Sequence, residues 1–297
     1  MKLQRKITVE NRYSANGWNF EKTTKYIFEN GSYLLEAGYF EHYMDDVYVK
    51  TVIELPVSYG CMGHCKFCAS SLIKEFECLK PEQLQTMLFA ICQDKNLSED
   101  SEIVLSMTGI GDMYFNYENV LLFFDWLKNF THIKLNVSSC FWNKSSLQRI
   151  EDNLDKWYIR ILQITYISDN RDKIQEIIPE YNKKTFDFSE IVDFISKSKQ
   201  NYFRINYVLI KGVNDSIEDF KRFASKVRGI RDKVVIRISK LNETCATRKY
   251  GLQPVDLDSM YNFEEMLSQA GIKSYKFWSS KNDDMNCGQL ITEKNIF

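Results

Sequence analysis

Tyr59-Gly60-Cys61-Met62-Gly63-His64-Cys65-Lys66-Phe67-Cys68 is the stretch that decides the fold, because three and then two residues separate its cysteines. Three thiolates at this spacing can bind three irons of a [4Fe–4S] cluster and leave the fourth iron without a protein ligand. Electron-transfer clusters held by four cysteines have no such open iron. The spacing therefore predicts that Cys61, Cys65 and Cys68 hold a cluster whose open iron binds a substrate-like ligand.

Two plainer interpretations compete for these cysteines. A structural zinc ion needs a fourth ligand, usually from a second C-x2-C or H-x3-H pair. No second pair follows, and His64 adjoins Cys65, so it could join the same ion only in an awkward geometry. Isolated structural thiols explain Cys78 or Cys92 well, but not three cysteines in so short a run. The cluster is the favoured interpretation.

The composition is that of a globular protein with a large core. The chain has 297 residues, 44% of them hydrophobic and 14% aromatic, which suits a single α/β barrel. Its eight cysteines are better explained by metal or catalytic use than by four disulfides. No apolar run is long enough to span a membrane, and the N-terminus lacks the features of a signal peptide, so we expect a cytoplasmic protein without a membrane partner. The net charge of −1 argues against extensive contact with a phosphate backbone.

Strands and helices alternate along the chain. Residues 31–58 are predicted to hold two or three strands, the last of which, residues 51–58, leads into the cysteine-rich loop. A helix follows from Pro81, a favoured first helical residue, with an apolar stripe at positions 84, 87, 88 and 91. Further strands are predicted at 102–108, 132–139, 158–166, 202–210, 233–239 and 273–278, and helices at 117–130, 144–156, 171–178, 189–199, 216–227 and 256–270.

This alternation, with near-continuous apolar strands, indicates parallel βαβ units. The predicted fold class is therefore α/β, with a partial (β/α)6 barrel over residues 51–297 and an N-terminal β-strand extension over residues 1–50. In barrels of this kind, the active-site residues lie at the carboxyl ends of the strands. The cysteine-rich loop follows the first barrel strand and is expected at that rim.

Glycines and small polar residues follow the other predicted strands. In the turn Thr108-Gly109-Ile110-Gly111-Asp112, two glycines let the backbone approach a ligand, and the acid can accept a hydrogen bond from an ammonium or hydroxyl group. Each hydroxyl or amide taken alone is explained equally well as a cap or turn residue. Their shared position at one rim favours a ligand site. The candidate cofactor-binding residues are Gly109, Gly111, Asp112, Ser138, Ser139, Thr165 and Asn242.

The cysteine spacing resembles that of the radical S-adenosylmethionine (SAM) superfamily. The resemblance implies that the amino and carboxylate groups of SAM chelate the open iron. It also implies that one electron, from a flavodoxin- or ferredoxin-type donor, cleaves SAM to methionine and a 5′-deoxyadenosyl radical. The implied cofactors are thus a [4Fe–4S] cluster and SAM.

Several further motifs are similar to those of the RlmN/Cfr family of radical SAM methyltransferases, which methylate an adenosine of ribosomal RNA. The similarity runs from about Leu35 to Leu290, and its last motif is the most specific. The motifs are residues 57–70, residues 109–116 beginning with Gly109-Ile110-Gly111-Asp112 (usually Gly-x-Gly-Glu in the family), residues 177–179, residues 213–215, Asn242, and Cys287-Gly288-Gln289-Leu290.

The resemblance gives Cys287 a covalent catalytic role. It implies that one SAM methylates this cysteine, and that the radical from a second SAM abstracts hydrogen from the S-methyl group. The carbon radical then adds to an electrophilic sp2 carbon, such as an amidine carbon that is no nucleophile toward SAM itself. The initial thiolate is the nucleophilic form of any reactive cysteine.

Two departures from the family bear on the reaction. The family has a second catalytic cysteine where this chain has Glu54, and a carboxylate can be a general base but cannot form a disulfide. Cys140 and Cys245 lie in predicted rim loops and are the available substitutes, although each is also explained as a buried apolar residue. The segment before residue 31 is too short for the helical RNA-binding domain of RlmN-like enzymes. We therefore expect a nucleotide, another small molecule or a peptide as substrate rather than ribosomal RNA.

Three functions remain open at this point. The first is a radical SAM enzyme that attaches or transfers a one-carbon unit through Cys287. The second is a radical SAM enzyme that abstracts hydrogen directly from its substrate, giving rearrangement, oxidation or a crosslink, with Glu54 helping to place the substrate. The third is a non-catalytic iron–sulfur or zinc protein that binds RNA or a partner.

Overall fold

The computed structural model describes residues 1–11, 20–199 and 203–278. The strands are β1 (Lys2–Asn11), β2 (Phe20–Asn30), β3 (Tyr33–Met44), β4 (Val47–Glu54), β5 (Ser58–Tyr59), β6 (Glu77–Cys78), β7 (Ile103–Ser106), β8 (Ile133–Ser139), β9 (Ile159–Tyr166), β10 (Phe203–Leu209), β11 (Val234–Lys240) and β12 (Ser274–Phe277). The α-helices are α1 (Pro81–Asp94), α2 (Tyr117–Leu127), α3 (Lys144–Glu151), α4 (Arg171–Ile177), α5 (Phe188–Lys197), α6 (Ile217–Val227), α7 (Cys245–Tyr250) and α8 (Leu257–Gln269). None of the helices in these ranges has both the length and the apolar character needed to cross a membrane.

Ten of the strands form one sheet in the order β1-β2-β3-β4-β7-β8-β9-β10-β11-β12. Pairing is antiparallel from β1 to β4 and parallel from β4 to β12, so the predicted α/β class with a mostly parallel sheet is confirmed. Within the described ranges, β1 and β12 are the two ends of the sheet, which is open rather than closed. The division between residues 50 and 51 falls inside β4 and stays a prediction.

The core lies between the parallel strands and the helices that connect them. Alternate residues of the strands, such as Ile53, Leu105 and Val137, are fully buried in this layer. Helix α1 begins at Pro81 as predicted, and its whole apolar stripe, Leu84, Met87, Leu88 and Ile91, is buried in the same core. Cys92 packs against the core, as expected for a structural thiol.

Some element ends differ from the prediction for local reasons. Strand β4 ends at Glu54 rather than at residue 58, because Pro56 has no N–H group with which to continue the ladder. Helix α3 ends at Glu151 rather than at residue 156, since Asp152 and Asn153 are weak helix formers. Strands β1 and β2 were predicted only as part of a β-rich extension.

The segment after β4 runs tightly against the turn after β7. Val57 N donates to Ile110 O at 2.8 Å, and Gly109 N donates to Leu55 O at 3.1 Å. A Cβ atom at Gly109 would lie 2.7 Å from the backbone nitrogen of Pro56, which leaves no room for any side chain. At Gly111, where φ is +93°, a Cβ would lie 2.0 Å from Ser58 Oγ. The two glycines are therefore required by packing of the chain on itself.

We predict that Gly109→Ala destabilises the fold by about 1–3 kcal/mol, because backbone atoms rather than a flexible side chain must move. The free energy of unfolding in urea measures this. Gly229→Ala is the matched control, since nothing lies within 4 Å of a Cβ there. We expect it to change stability by less than about 1 kcal/mol, in the stabilising direction. Equal effects of the two substitutions would contradict the packing described here.

Candidate active site

The inward face of the sheet borders one cavity of about 310 Å³. Every parallel strand from β4 to β12 contributes at least one side chain to it, and β2 and β3 contribute Glu21, Phe40 and His42. Strands of one sheet can all reach a single cavity only if the sheet curves around it. The curvature agrees with the predicted partial barrel, although the sheet is not closed.

All the predicted site residues within the described ranges meet at this cavity. They come from the cysteine-rich loop, from strand β4 and from the ends of β7, β8, β9 and β11. The residues are Cys61, Cys65, Cys68, Glu54, Gly109, Gly111, Asp112, Ser138, Ser139, Thr165 and Asn242. Cys287 lies outside the described residues.

The cysteine-rich loop has a geometry that suits sulfur ligands of a cluster. Gly60, just before the first cysteine, and His64, between the first and second, adopt left-handed backbone conformations with φ of 66° and 48°, which let the loop turn sharply at these points. Gly63 N donates to Cys61 Sγ at 3.4 Å, and such hydrogen bonds tune cluster thiolates. Burial raises the pKa of the Cys61 and Cys68 thiols, so the site needs bound positive charge, as from iron, to hold thiolates.

The alternative zinc site finds no support in this geometry. The His64 side chain is exposed, while the thiols line the cavity. Nowhere in the part of the chain that the structure describes do three His, Cys, Asp or Glu side chains converge as ligands of a single metal ion. A [4Fe–4S] cluster spreads its ligands over separate irons, so the three thiols fit a cluster better than a lone ion.

Asp112 links the turn after β7 to the end of β8. Its carboxylate accepts hydrogen bonds from Tyr114 N at 2.9 Å, Ser139 Oγ at 2.7 Å and Cys140 N at 2.9 Å. Burial raises its pKa, and these three donors partly offset the shift. Asp112 therefore positions the turn through its own bonds, and any ligand ammonium would add to a network that already exists.

Glu54 is the last residue of β4 and lies opposite Ser106 of β7. Its Oε2 atom is buried and has no hydrogen-bond partner among the residues that the structure describes. Burial raises the pKa of the carboxyl to about 7, while a hydrogen bond from Thr108 and the positive charge of Arg237 act in the opposite direction. This carboxyl can therefore take up or release a proton near neutral pH.

The two candidate substitute thiols have different surroundings. Cys140 lines the cavity, and its thiol interacts with that of Cys65, which raises the pKa of Cys65 together with burial. Cys245 begins α7, packs against the core and does not line the cavity. Of these two thiols, only that of Cys140 lines the cavity.

The inward face of the strands is polar, and this was not predicted from the sequence. The strands were predicted to be near-continuously apolar, and that prediction is wrong. Polar residues two positions apart face the cavity, while their neighbours pack in the core. The period-2 alternation of polar and apolar residues could have revealed this face. The residues are Asn136 and Ser138 on β8, Gln163 and Thr165 on β9, Arg204 and Asn206 on β10, and Arg237 and Ser239 on β11.

Known proteins similar to this chain are named RNA methyltransferases. No family model matches the chain. It is 26% identical to a probable dual-specificity RNA methyltransferase RlmN of Phocaeicola vulgatus, over 96% of this chain and 77% of the relative. It is 25% identical to the protein of the same name from Lachnospira eligens, over 90% of this chain and 74% of the relative.

Among solved structures, the crystal structure of a radical SAM methyltransferase from Sphaerobacter thermophilus matches with a TM-score of 0.71. The match covers 96% of this chain and 80% of that one at 19% identity, and it supports the fold. The relatives favour an enzyme over the non-catalytic binding protein considered above, and the cofactors of this kind of enzyme are a [4Fe–4S] cluster and SAM. These likenesses support an enzyme of the radical SAM methyltransferase kind, and the chain is similar over most of its length to proteins named RlmN.

Proposed function

We propose that this enzyme attaches a one-carbon unit to an sp2 carbon of a nucleotide, another small molecule or a peptide, with Cys287 as the carrier of that unit. The observation that carries the proposal is the meeting of the three loop cysteines, the glycine turn and Glu54 at one cavity. The motif Cys287-Gly288-Gln289-Leu290 supplies the carrier by its resemblance to the RlmN/Cfr family.

In this proposal Cys61, Cys65 and Cys68 bind three irons, and a flavodoxin- or ferredoxin-type protein supplies the electron. The cluster and SAM, when bound, supply the 5′-deoxyadenosyl radical. The turn at residues 109–112, with Ser138, Ser139, Thr165 and Asn242, borders the part of the cavity next to these cysteines. These residues orient SAM and exclude water from it.

Cys287 first loses its thiol proton, and its sulfur bonds to the methyl carbon of SAM, so that S-adenosylhomocysteine leaves. After the S-methyl group has lost a hydrogen atom, its carbon bonds to the sp2 carbon of the substrate. A thiolate is a strong nucleophile toward SAM, whereas an amidine carbon is not, which is why a cysteine carrier is needed.

The radical adduct must then lose one electron and one proton: the electron would return to the cluster, which had given one electron to SAM, and Glu54 takes the proton from the substrate carbon. Glu54 lines the cavity, its Oε2 is buried without a described hydrogen-bond partner, and its pKa of about 7 suits a base at neutral pH. Cys140, which lines the same cavity, is the thiol that can attack Cys287 and release the product through a disulfide. Glu54 and Cys140 together would replace the single second cysteine of the family.

A small substrate is supported by where the positive charge lies. The net charge is −1, and Lys50, Arg204 and Arg237 face the interior cavity. A phosphate backbone is held instead by a basic outer face. The proteins named RNA methyltransferase act on RNA by their names, and we propose a different substrate for this chain.

Glu54 also favours a second candidate function. Because a carboxylate cannot form the disulfide of the family, the radical could act on the substrate directly, with Glu54 placing it. Deuterium transferred from a labelled substrate into 5′-deoxyadenosine would identify this reaction. Deuterium from a labelled S-methyl group on Cys287 would identify the first.

We predict that mass spectrometry of the protein, purified after expression with its cluster intact, finds one added methyl group on the peptide that contains Cys287. Cys287→Ala should lack the methyl group and still cleave SAM reductively, because the cluster ligands are unchanged. Cys65→Ala should lose both properties. Cys245→Ala is the matched control and should keep both. An unmethylated Cys287 in protein that cleaves SAM would overturn the carrier role.

We also predict a pH-dependent stability effect at Glu54. Its folded pKa of about 7 exceeds the ordinary value of 4.5, so the folded state holds a proton that the unfolded chain releases between these values. The stability that Glu54 contributes is therefore present below pH 4.5 and is lost as the pH rises toward 7. Urea unfolding from pH 5 to pH 8 should show the wild type losing stability relative to Glu54→Gln.

Glu176→Gln, at an exposed position of α4, is the control and should parallel the wild type across this pH range. Parallel profiles of the wild type and Glu54→Gln would show that Glu54 titrates at its ordinary pKa. At its ordinary pKa the carboxylate would be too weak a base to take a proton from carbon efficiently near pH 7, and its proposed role would be contradicted.

A further inference from the structure

Positively charged side chains gather at the end of the cavity away from the cysteine-rich loop. Lys50 lies four residues before the end of β4, Arg204 is the second residue of β10, and Arg237 is in the middle of β11. All three line the cavity. The cysteines and the glycine turn follow the carboxyl ends of strands, so the cavity has a cluster end and a cationic end.

Aromatic residues of β12 hold both arginines in place. The guanidinium of Arg237 lies 3.5 Å from the ring centre of Phe277, and that of Arg204 lies 5.9 Å from the ring centre of Tyr275. Arg204 also donates to Gln163 Oε1 at 3.4 Å. Its Nε is buried and has no hydrogen-bond partner within the described ranges. A fixed guanidinium with a buried, unused donor is prepared to bind an oxyanion.

Carboxylates as well as cations line this cavity. Glu21, which is 4% exposed, interacts electrostatically with Lys50, and Glu54 does so with Arg237. His42 Nδ1 lies 3.2 Å from Glu21 Oε2, and because burial lowers the pKa of His42 to about 3, this imidazole is neutral at pH 7. The three cations Lys50, Arg204 and Arg237 thus share the cavity with two carboxylates, and the Nε of Arg204 has no hydrogen-bond partner among the described residues. Burial, and then the nearby arginines, lowers the pKa of Lys50 to about 8.

We propose that this cationic end binds an oxyanion of the substrate, a phosphate or a carboxylate, with Arg204 as the principal donor. A substrate anchored there extends along the strands toward Glu54, which lies between the cations and the cysteine-rich loop on β4. The anchor thus sets which substrate atom reaches the cluster end. The inference rests on the proposed function, since it assigns the charge class of the substrate for the same cavity.

The test uses holoenzyme reconstituted anaerobically with iron and sulfide, in the presence of SAM and in chloride buffer. Isothermal titration calorimetry measures the affinity for inorganic phosphate and, in a second series, for acetate. We expect Arg204→Gln to weaken binding of the preferred anion by about tenfold or more, as loss of a charged hydrogen-bond donor implies. Arg149→Gln, which removes an exposed arginine on α3, is the control and should bind as the wild type does.

The two series distinguish the source of the oxyanion. Tighter binding of phosphate indicates a phosphorylated substrate, and tighter binding of acetate indicates a carboxylate. Should Arg204→Gln fail to fold, Arg204→Lys keeps the charge without the two-pronged guanidinium and is expected to weaken binding less.

Reductive cleavage of SAM, measured in the same samples, separates the two proposals. Wild-type protein that cleaves SAM but binds neither anion would overturn the anion site and leave the radical chemistry standing; carboxylates of the chain itself would then neutralise the cations. Equal affinity in the wild type and both Arg204 variants would overturn it as well. Protein that binds the anion through Arg204 but cannot cleave SAM would overturn the proposed function alone.

Discussion

The backbone contact between residues 55–58 and the turn at residues 109–111 fixes the position of the site. Val57 N and Gly109 N bind carbonyl groups across this contact, and no Cβ atom fits at Gly109. The cysteine-rich loop begins directly after residue 58, so the same contact brings its cysteines beside the turn at residues 109–112, and both line the cavity. Asp112 extends the link to the end of β8 through Ser139 and the backbone of residue 140. Three consecutive strand ends are thereby held in one arrangement.

The two faces of the sheet border different environments, an apolar core and a polar cavity. One face packs against the helices and is apolar, while the other borders a cavity with polar side chains from every strand between β8 and β11. The cavity itself has two regions with different side chains. Thiols and small hydroxyl groups lie at the carboxyl ends of the strands, and cations lie toward the amino ends. Glu54, with a pKa raised by burial, lies between the two regions. The cavity thus has a thiol-lined end and a cationic end, with a buried carboxyl between them.

Much of this arrangement could be predicted from local sequence. The alternation of elements predicted the parallel sheet, and Pro81 predicted the start of α1. The assignment of the three cysteines as cluster ligands stays a prediction. The features that could not be predicted depend on strand register and on contacts between segments that are far apart in the sequence. The proximity of Cys140 to Cys65 arises because the end of β8 lies beside a loop far away in sequence. The meeting of Arg204 with Tyr275 likewise depends on strand register across β10, β11 and β12. Gly109 and Gly111 were predicted to let the backbone approach a ligand. Their packing against residues 55–58 is enough by itself to require glycine at both positions.

The central claim is that Cys61, Cys65 and Cys68 hold a cluster with one iron open to SAM. Electron paramagnetic resonance of anaerobically reconstituted, chemically reduced protein, recorded before and after addition of SAM, tests it most directly. The account predicts a [4Fe–4S]⁺ signal whose g values change when SAM binds the open iron. A protein that shows no iron–sulfur signal after iron and sulfide are supplied, or a signal that SAM leaves unchanged, would contradict it.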